Sequence, residues 1–454
     1  MRREHGSSLH QQLEAGLREA IRSGRLQPRA VLPSSRALAR DLGLSRGVVV
    51  EAYDQLAAEG YLTTRPGGAT RVAEMATQPQ APPARAAPPA HRIDFRAGRP
   101  DLSQFPRADW LRSLRRVLNQ APNERLGYLD GQGAPELRQA LAAYLDRVRG
   151  TFAHPDNILI STGFAQALAL TSQVLHAAGA SRLAVEDPSQ PDPRSIARAA
   201  GLEVIGIPID DTGIQVDVLE RSSADAVLLT PAHQMPTGAV LSPERRAGLV
   251  AWANRMGRTI IEDDYDAEYR YDRTPVGAIQ GLAPDRVVYA GSVSKTLAPG
   301  LRLGWLVAPA SMVDALATAK EAADRGSPVI EQLAFADFLT RGAFDHHLRR
   351  MRPMYRRRRD ALLAALRRHL PQLRPVGASA GLHVLAWLPP GMDESEVVDA
   401  AARQDVGVYG LGSHRMAIKG PRGLLFGYAG LSEAAIEEGV LVLASAIDTM
   451  RREE

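Results

Sequence analysis

The pattern of apolar and polar residues changes along the chain and separates two parts. From Ile93 onward, short apolar runs with the length of buried strands alternate with amphipathic stretches of helical period. These runs fall at residues 157–161, 182–185, 204–207, 226–230, 259–262, 287–290 and 304–308. Such an alternation predicts an α/β domain around a mostly parallel sheet. Beyond Pro328, an arginine-rich helical stretch and two apolar segments near 382–387 and 424–429 predict a smaller α/β subdomain.

The N-terminal part of the chain is dominated by helical periodicity. After one amphipathic helix at residues 8–23, two shorter helices are predicted, with Ser34 or Ser35 as the N-cap of the first. Gly43 ends that helix, and Ser45 caps the next one, whose apolar face repeats at the helical spacing. Two short helices joined by a glycine-containing turn predict a helix-turn-helix, which places its second helix in the major groove of DNA.

The segment after these helices predicts a wing. Residues 60–73 contain two short strand-like stretches around a Pro-Gly-Gly turn, with Arg65 and Arg71 beside it. The start of the second helix, Ser45 to Gly47, offers free backbone N–H groups that favour phosphate. Each arginine alone is most simply a solvated surface charge. The ordered set of cap, helices and hairpin instead favours an α+β winged helix-turn-helix that binds double-stranded DNA.

A Pro/Ala-rich stretch without large apolar residues connects the two parts. Its composition predicts a linker of partly polyproline II character, with a reach of roughly 55 Å at ~3.1 Å per residue. That reach is enough to place the first domain away from its own second domain. We therefore expect a DNA-binding domain at residues 1–73, a linker at 74–92 and an effector domain at 93–454.

Composition excludes several classes of protein. No apolar run approaches the roughly 20 residues that span a bilayer, and the first residues have no apolar segment typical of a secretory signal. The sequence has no cysteine, which excludes disulfides, thiolate metal sites and cysteine nucleophiles and fits a reducing cytoplasm. We expect a cytoplasmic protein with no membrane partner and no metal. The net charge of +4 says little about nucleic acid at this chain length.

Lysine is rare in this chain. Of the 55 basic residues, only Lys295, Lys320 and Lys419 are lysines. A primary amine can form a Schiff base, which a guanidinium cannot. Lys320 and Lys419 are expected to be ordinary surface residues. Lys295 is different because it follows an apolar strand within a serine-rich loop, where an aldehyde cofactor can reach it.

Neighbouring segments supply further groups for such a cofactor. Ser292, Ser294 and Arg302 can hold a phosphate through charge-assisted hydrogen bonds. The strand at 259–262 ends in acids and a tyrosine, which can contact a pyridine nitrogen and a ring oxygen. The Thr-Gly-Phe segment at 162–164 opens a helix whose N–H groups suit phosphate. Each piece is common in proteins without a cofactor, but all lie at the carboxyl ends of strands, where α/β sheets bind ligands.

The N-terminal motifs resemble the GntR family of regulators over about 60 residues. The matching segments are 32–39, 44–46, 52–53, 56, 59–62 and 68–72. The resemblance implies that Arg36, Arg46 and the wing glycines contact DNA. Together with the caps and flanking arginines, the expected DNA-binding residues are Ser34, Arg36, Ser45, Arg46, Gly47, Arg65, Gly67, Gly68 and Arg71.

The remainder, from Ile93, resembles fold-type I aminotransferases, with further matches at 127–138, 185–188 and 236–238. The resemblance implies that Lys295 carries pyridoxal 5′-phosphate as a Schiff base, with Asp263 at the ring nitrogen and Tyr265 at the 3-oxygen. Tyr128 matches a tyrosine that reaches the phosphate of the neighbouring subunit. The implied phosphate contacts are Thr162, Gly163, Phe164, Ser292, Ser294 and Arg302.

The fusion of both parts resembles the MocR subfamily of GntR regulators, which implies a head-to-tail homodimer. Several aminotransferase features are absent. The usual asparagine at the 3-oxygen is missing, with His233 in its neighbourhood, and Gln190 replaces an aromatic residue. Asp192 and Leu425 occupy positions where arginines anchor a substrate carboxylate, and Asp192 is expected to repel a carboxylate. Arg422 lies close to the second position in sequence and could replace that anchor.

These features favour a transcription regulator over an enzyme. The missing carboxylate anchors point to a sensor of pyridoxal phosphate itself, similar to the regulators of vitamin B6 synthesis genes in this subfamily, with at most weak transaminase activity. Two alternatives remain open. The effector is an amino compound that reacts with the lysine-bound cofactor, or the chain is a working aminotransferase with an accessory DNA-binding module.

Overall fold

The computed structural model describes residues 8–65, 68–74, 91–271, 277–417 and 419–453. The chain divides into two compact units, Met1–Pro89 and Ala90–Glu454. The expected DNA contact Gly67 and most of the predicted linker lie outside the described residues. No helix within the described ranges is both long and apolar enough to cross a membrane.

The N-terminal unit is a helix-turn-helix with a hairpin. Its elements are α1 (Leu9–Arg22), α2 (Ser35–Leu42), α3 (Arg46–Ala58), β1 (Leu62–Thr63) and β2 (Arg71–Val72), the two strands being antiparallel. The Ser34 hydroxyl accepts a hydrogen bond from the Ala37 N–H at 3.2 Å and caps α2. Gly43 ends that helix in the left-handed conformation, with φ of 65°. Ser45 caps α3, as the sequence predicts.

The helices of the C-terminal unit are α4 (Arg107–Gln120), α5 (Pro135–Arg149), α6 (Phe164–Ala177), α7 (Pro191–Ala199), α8 (Val216–Arg221), α9 (Pro243–Met256), α10 (Val313–Asp324), α11 (Val329–Thr340), α12 (Ala343–His369), α13 (Glu394–Arg403) and α14 (Glu433–Glu453). Its strands are β3 (Ile93–Asp94), β4 (Ile158–Ser161), β5 (Arg182–Asp187), β6 (Glu203–Asp210), β7 (Gly213–Ile214), β8 (Ala226–Leu229), β9 (Thr259–Asp264), β10 (Val287–Ser292), β11 (Gly304–Val307), β12 (Arg374–Val376), β13 (His383–Trp387), β14 (Val406–Gly407), β15 (Tyr409–Gly410) and β16 (Gly423–Gly427).

The main sheet runs in the order β4-β11-β10-β9-β8-β5-β6-β7. The pairs from β10 through β9, β8 and β5 to β6 are parallel. Strand β11 is antiparallel to both of its neighbours, and β7 is antiparallel to β6. The predicted mostly parallel sheet is confirmed. The carboxyl ends of β5, β8, β9 and β10 therefore meet at one edge, where a ligand site is expected.

The subdomain after α11 contains the antiparallel sheet β12-β13-β16-β15. Helix α12 is the arginine-rich helix that the sequence predicts, and it packs against α14. Strand β3, at the start of the C-terminal unit, pairs in parallel with β14. The chain therefore enters this unit beside the small subdomain before it builds the main sheet.

One expectation about the lysines is wrong. Lys320 is not a surface residue, since its side chain is only 1% exposed. Its ammonium lies 2.7 Å from the Asp324 carboxylate, one helical turn later, and 3.0 Å from the Ser327 hydroxyl. The paired acid offsets the cost of burying the charge. Lys419 is exposed, as expected.

Candidate functional site

A cavity opens at the carboxyl ends of the parallel strands. The predicted cofactor residues that line it are Phe164, Asp263, Tyr265, Ser292, Ser294, Lys295 and Arg302. These residues come from several segments that are distant from one another in sequence. The fold therefore brings the acid, the phenol, the amine and the predicted phosphate contacts into one cavity.

Lys295 lies three residues beyond the end of β10 and is half-buried. Its ammonium donates a hydrogen bond to the Gly98 carbonyl at 2.7 Å. Burial lowers the pKa of Lys295, although the Asp263 and Asp266 carboxylates oppose that shift. A lowered pKa increases the fraction of neutral amine, which is the form that attacks an aldehyde.

Asp263 occupies the penultimate position of β9, in register with Ala290 of the neighbouring strand. Burial raises the pKa of its carboxyl well above the usual value, and the neighbouring Asp264 and Asp266 add to that shift. Among the described residues, no donor lies within hydrogen-bond distance of this carboxylate. Asp263 is half-buried, and an acid that faces a cavity without a donor is suited to a cationic or N–H-bearing ligand.

Arg302, which lines another part of the cavity, lies beside the turn at Gly163, a predicted site residue that does not itself line the cavity. Arg302 adopts a left-handed backbone with φ of 51°, and its guanidinium has neither an acceptor nor an acid partner among the described residues. Gly163 has φ of 113°, and a Cβ there would lie 3.4 Å from the Arg302 guanidinium nitrogens. Gly163 is also the N-cap of α6, whose first N–H groups are free. A cradle of this kind is suited to an anion.

Some predicted site residues do not line the cavity. Tyr128 is 92% exposed and lies outside it, and the Thr162 N–H donates to the Gln166 side chain. Arg422 pairs with Asp393 away from the cavity. The sequence-based suggestion that Arg422 replaces a carboxylate anchor is therefore not supported.

The structure also locates the other residues that differ from the aminotransferase pattern. Asp192 is exposed in the first turn of α7 and does not line the cavity, so its expected repulsion of a carboxylate there is not supported. Leu425 is buried among apolar residues, in contact with the cluster that contains Met235 and Leu385. Gln190 lines the cavity.

Sequence reasoning missed Gly98, Arg194 and His383, all of which line the cavity. Arg194 is 5% exposed, and within the described residues its guanidinium donates only to backbone carbonyls, those of Gln190, Ser413 and Arg415. No carboxylate oxygen in that part of the chain lies within 4.0 Å of its guanidinium nitrogens. The sequence offers one local signal for Arg194: it lies four residues after Gln190, one helical turn along α7.

The predicted DNA contacts of the N-terminal unit that the structure describes are exposed. They are Ser34, Arg36, Ser45, Arg46, Gly47, Arg65, Gly68 and Arg71. Arg46 is the first residue of α3, and Arg36 lies in the first turn of α2. Arg36, Arg46 and Arg65 have no side-chain hydrogen bond or ion pair among the described residues. Their charges are therefore available to DNA phosphates or bases.

Comparisons with known proteins agree with this division. Residues 9–72 match the bacterial regulatory proteins of the gntR family. Residues 90–443 match aminotransferase class I and II. Among solved structures, this chain is similar to the α-aminoadipate aminotransferase LysN from Thermus thermophilus, with a TM-score of 0.72 and 28% identity. The LysN structure is complexed with N-(5′-phosphopyridoxyl)-L-leucine. That alignment covers 80% of this chain and 93% of LysN.

Full-length relatives share both parts. The chain is 32% identical to the probable rhizopine catabolism regulatory protein MocR of Rhizobium meliloti, over 96% of this chain and 93% of that protein. It is also 32% identical to the pyridoxine biosynthesis transcriptional regulator PdxR of Corynebacterium glutamicum, over 97% of this chain and 96% of that protein. The chain belongs to the GntR-family DNA-binding regulators that join a helix-turn-helix domain to an aminotransferase class I and II domain, the group that includes MocR and PdxR.

Proposed function

We propose that this regulator binds pyridoxal 5′-phosphate covalently on Lys295 and senses it. The supporting observation is the cavity, in which an amine, a carboxylate without a donor and a guanidinium without an acceptor among the described residues face one space. These are the three groups that the aldehyde, the ring nitrogen and the phosphate of this cofactor require. When bound, the cofactor supplies an electron-accepting ring.

The residues take the following roles in this proposal. Lys295 would hold the cofactor, Asp263 would accept a hydrogen bond from its ring nitrogen, and Tyr265 would contact its 3-oxygen. Arg302 and the neighbouring turn at Gly163 would hold the phosphate. The further phosphate contacts that the resemblance implies are Phe164, Ser292 and Ser294, which line the cavity, and Thr162, which does not.

Sensing is favoured over transamination because the expected carboxylate anchors are missing from the described part of the cavity. Leu425 is packed in an apolar cluster and Arg422 pairs with Asp393. Catalytic turnover needs the substrate held so that its reacting bond is correctly oriented. The relative named as a pyridoxine biosynthesis regulator supports the further proposal that the target genes are those of vitamin B6 synthesis.

A second candidate has its own support. Arg194 is a buried cation that lines the cavity and has only carbonyl partners among the described residues, so it is suited to a carboxylate. In that case the effector is an amino acid or related amino compound that reacts with the lysine-bound cofactor. In the aminotransferase alternative, Arg194 would hold the carboxylate of a substrate that the protein converts to product.

We also propose that the protein is a homodimer in which Tyr128 completes the phosphate site of the partner. Tyr128 is 92% exposed, and Leu126 and Leu118, two and ten residues earlier in the chain, are 55% and 60% exposed. If these side chains form one patch, it would be typical of a surface that another protein covers.

Absorbance titration of the purified protein separates the candidates. Pyridoxal phosphate is added first, and borohydride reduction followed by peptide mapping identifies the modified lysine. A panel of amino acids is then added.

Sensing of the cofactor predicts reduction at Lys295 and no lasting spectral change with amines. A lasting change without keto-acid product supports an amino effector, and sustained keto-acid production supports an enzyme. Labelling at Lys320 or Lys419 instead contradicts the proposal.

A further inference from the structure

A fully buried polar cluster lies directly behind the cavity. His233 is 1% exposed, and its Nδ1 is 2.9 Å from a carboxylate oxygen of Asp266 and 3.0 Å from the hydroxyl of Tyr265. Its Nε2 is 3.2 Å from the Gly377 carbonyl oxygen. Tyr265 lines the cavity and His233 does not. His233 therefore acts on a ligand through the side chains that line the cavity, of which Tyr265 is its hydrogen-bond partner.

The partners of His233 determine its protonation state. A carbonyl oxygen only accepts hydrogen bonds, so Nε2 must carry a proton to bind Gly377. An ionised carboxylate also only accepts, so Nδ1 must carry a proton to bind Asp266. Both ring nitrogens are then protonated, and His233 is an imidazolium paired with Asp266. Burial is the largest single influence and opposes this state, but the charge and hydrogen bond of Asp266, together with the Gly377 carbonyl, outweigh it and raise the pKa of His233.

His233, Asp266 and His383 offer ligand atoms within 4.8 Å of one another. Their nitrogen and oxygen atoms already make hydrogen bonds: both ring nitrogens of His233 have partners, and the Nε2 of His383 is 3.1 Å from the Pro236 carbonyl oxygen. The backbone of Gly381 also approaches the cluster closely, since a Cβ there would come within 2.4 Å of both His233 and Asp266. We therefore interpret these residues as a hydrogen-bonded cluster.

Other charged groups surround His233. Arg270 acts against its positive charge, and the neutral ring of His383 lies 5.0 Å away between centroids. On the cavity side of Tyr265 lie the carboxyl groups of Asp263 and Glu186, and burial raises the pKa of both, that of Glu186 to about 7. Asp266 and His233 form an ion pair beside Tyr265: the Nδ1 of His233 is 3.0 Å from the Tyr265 oxygen, and Asp266 also interacts with that hydroxyl.

We propose that His233 is a positioning residue that holds the Tyr265 hydroxyl at the cavity and stabilises negative charge on the ligand atom that Tyr265 contacts. The proposal rests on the proposed function, in which that atom is the 3-oxygen of the cofactor. Because Gly377 belongs to the segment between β12 and β13, His233 also connects the cavity to the small subdomain.

The first test uses the cofactor-free protein. With ¹⁵N-labelled histidine, the His233→Gln variant assigns the resonances of His233 by their loss. The proposal predicts two protonated nitrogens for His233 at pH 7. A neutral His233 with one protonated nitrogen overturns it, whether or not the protein binds any cofactor.

The second test follows the absorbance of the pyridoxal phosphate-loaded protein against pH. Without the cation beside Tyr265, the 3-oxygen holds the proton that it shares with the lysine nitrogen more strongly. The absorbance midpoint of His233→Gln should therefore rise by about one pH unit or more, a tenfold change in proton affinity. Tyr265→Phe should shift it in the same direction, and the double variant should shift it by less than the sum.

His347→Gln is the matched control. His347 is also buried. Its Nε2 donates a hydrogen bond to the Thr296 carbonyl at 2.9 Å and its Nδ1 accepts one from Arg350 at 3.5 Å, but it does not line the cavity or contact Tyr265. Its midpoint should equal that of the unchanged protein. If the unchanged protein does not bind pyridoxal phosphate, the proposed function fails. If it binds and His233→Gln titrates like the control, the role of His233 fails alone.

Discussion

The buried ion pair beneath the cavity allows a quantitative test of the fold around Asp263. Arg149, the last residue of α5, places its Nε 2.6 Å from the Asp264 carboxylate, and the two side chains are only 3% and 2% exposed. Tyr289 of β10 donates to the same carboxylate oxygen at 2.6 Å. These contacts fix the end of β9 immediately after Asp263.

Replacing Arg149 by Met retains a side chain of similar length but removes its charge. The Asp264 charge then remains buried without its arginine partner. Removal of one partner from a buried ion pair costs about 3–5 kcal/mol of unfolding free energy. The matched control is Arg147→Met on the same helix. Arg147 also pairs with an aspartate, Asp345, at 2.7 Å, but these side chains are 57% and 33% exposed. Such exposed pairs contribute roughly 0–1 kcal/mol.

Urea unfolding of the cofactor-free protein, followed by tryptophan fluorescence, measures both losses. The four tryptophans all lie in the C-terminal unit, so the signal reports on that unit alone. We expect the Arg149 variant to lose at least ~3 kcal/mol more than the control. Equal losses, or a loss below ~1 kcal/mol for Arg149→Met, would refute the assignment of a buried, functionally placed ion pair.

Three further predictions concern DNA, pH and assembly. Arg46→Ala should cost ~1–3 kcal/mol of operator affinity and relax sequence preference. Arg71→Ala should instead weaken the affinity for all DNA sequences similarly and reduce the slope of log affinity against log salt by about one. Equal losses of affinity for operator and random DNA in both variants would contradict this. Burial lowers the pKa of His347 to about 4, below the unfolded value near 6.5, so the unfolded state binds more protons and stability should fall as pH drops from about 6.5 to about 4. His347→Gln should flatten that fall by at most ~3 kcal/mol at ~1.4 kcal/mol per pH unit, and an unchanged pH profile of unfolding would count against it. Tyr128→Ala should weaken cofactor affinity in a protein that remains dimeric by sedimentation, and a stable monomer with tight cofactor binding would exclude the shared site.

Much of the architecture could be predicted because buried parallel strands are continuous apolar runs. The runs at 157–161 and 226–230 correspond to β4 and β8 within a residue at each end. The caps Ser34 and Ser45 were also predictable, because capping depends on local backbone groups. Strand β9 was harder. It continues through two acidic residues because Arg149 and Tyr289, which are distant in sequence, stabilise the buried Asp264.

The parts of the site that sequence did not predict depend on long-range contacts. The Lys295 amine meets the Gly98 carbonyl across 197 positions, and neither residue type signals that contact. Lys320 was expected at the surface because a Lys–Asp pair one helical turn apart, as with Asp324, is common on exposed helix faces, and its further partner Ser327 lies beyond the helix. Asp192 and Arg194 are two residues apart on α7, and only the helical rotation decides that Arg194 lines the cavity while Asp192 does not.

The central claim is that pyridoxal phosphate on Lys295 changes DNA binding. Its most direct test is the dissociation constant of the full-length protein for an operator selected from random DNA, measured by fluorescence anisotropy with and without pyridoxal phosphate. The account predicts a change of roughly fivefold or more, as is typical of coupled sites, and no change for Lys295→Ala. A response of the Lys295→Ala protein equal to that of the unchanged protein would contradict the claim, as would an unchanged affinity when borohydride trapping shows Lys295 fully modified.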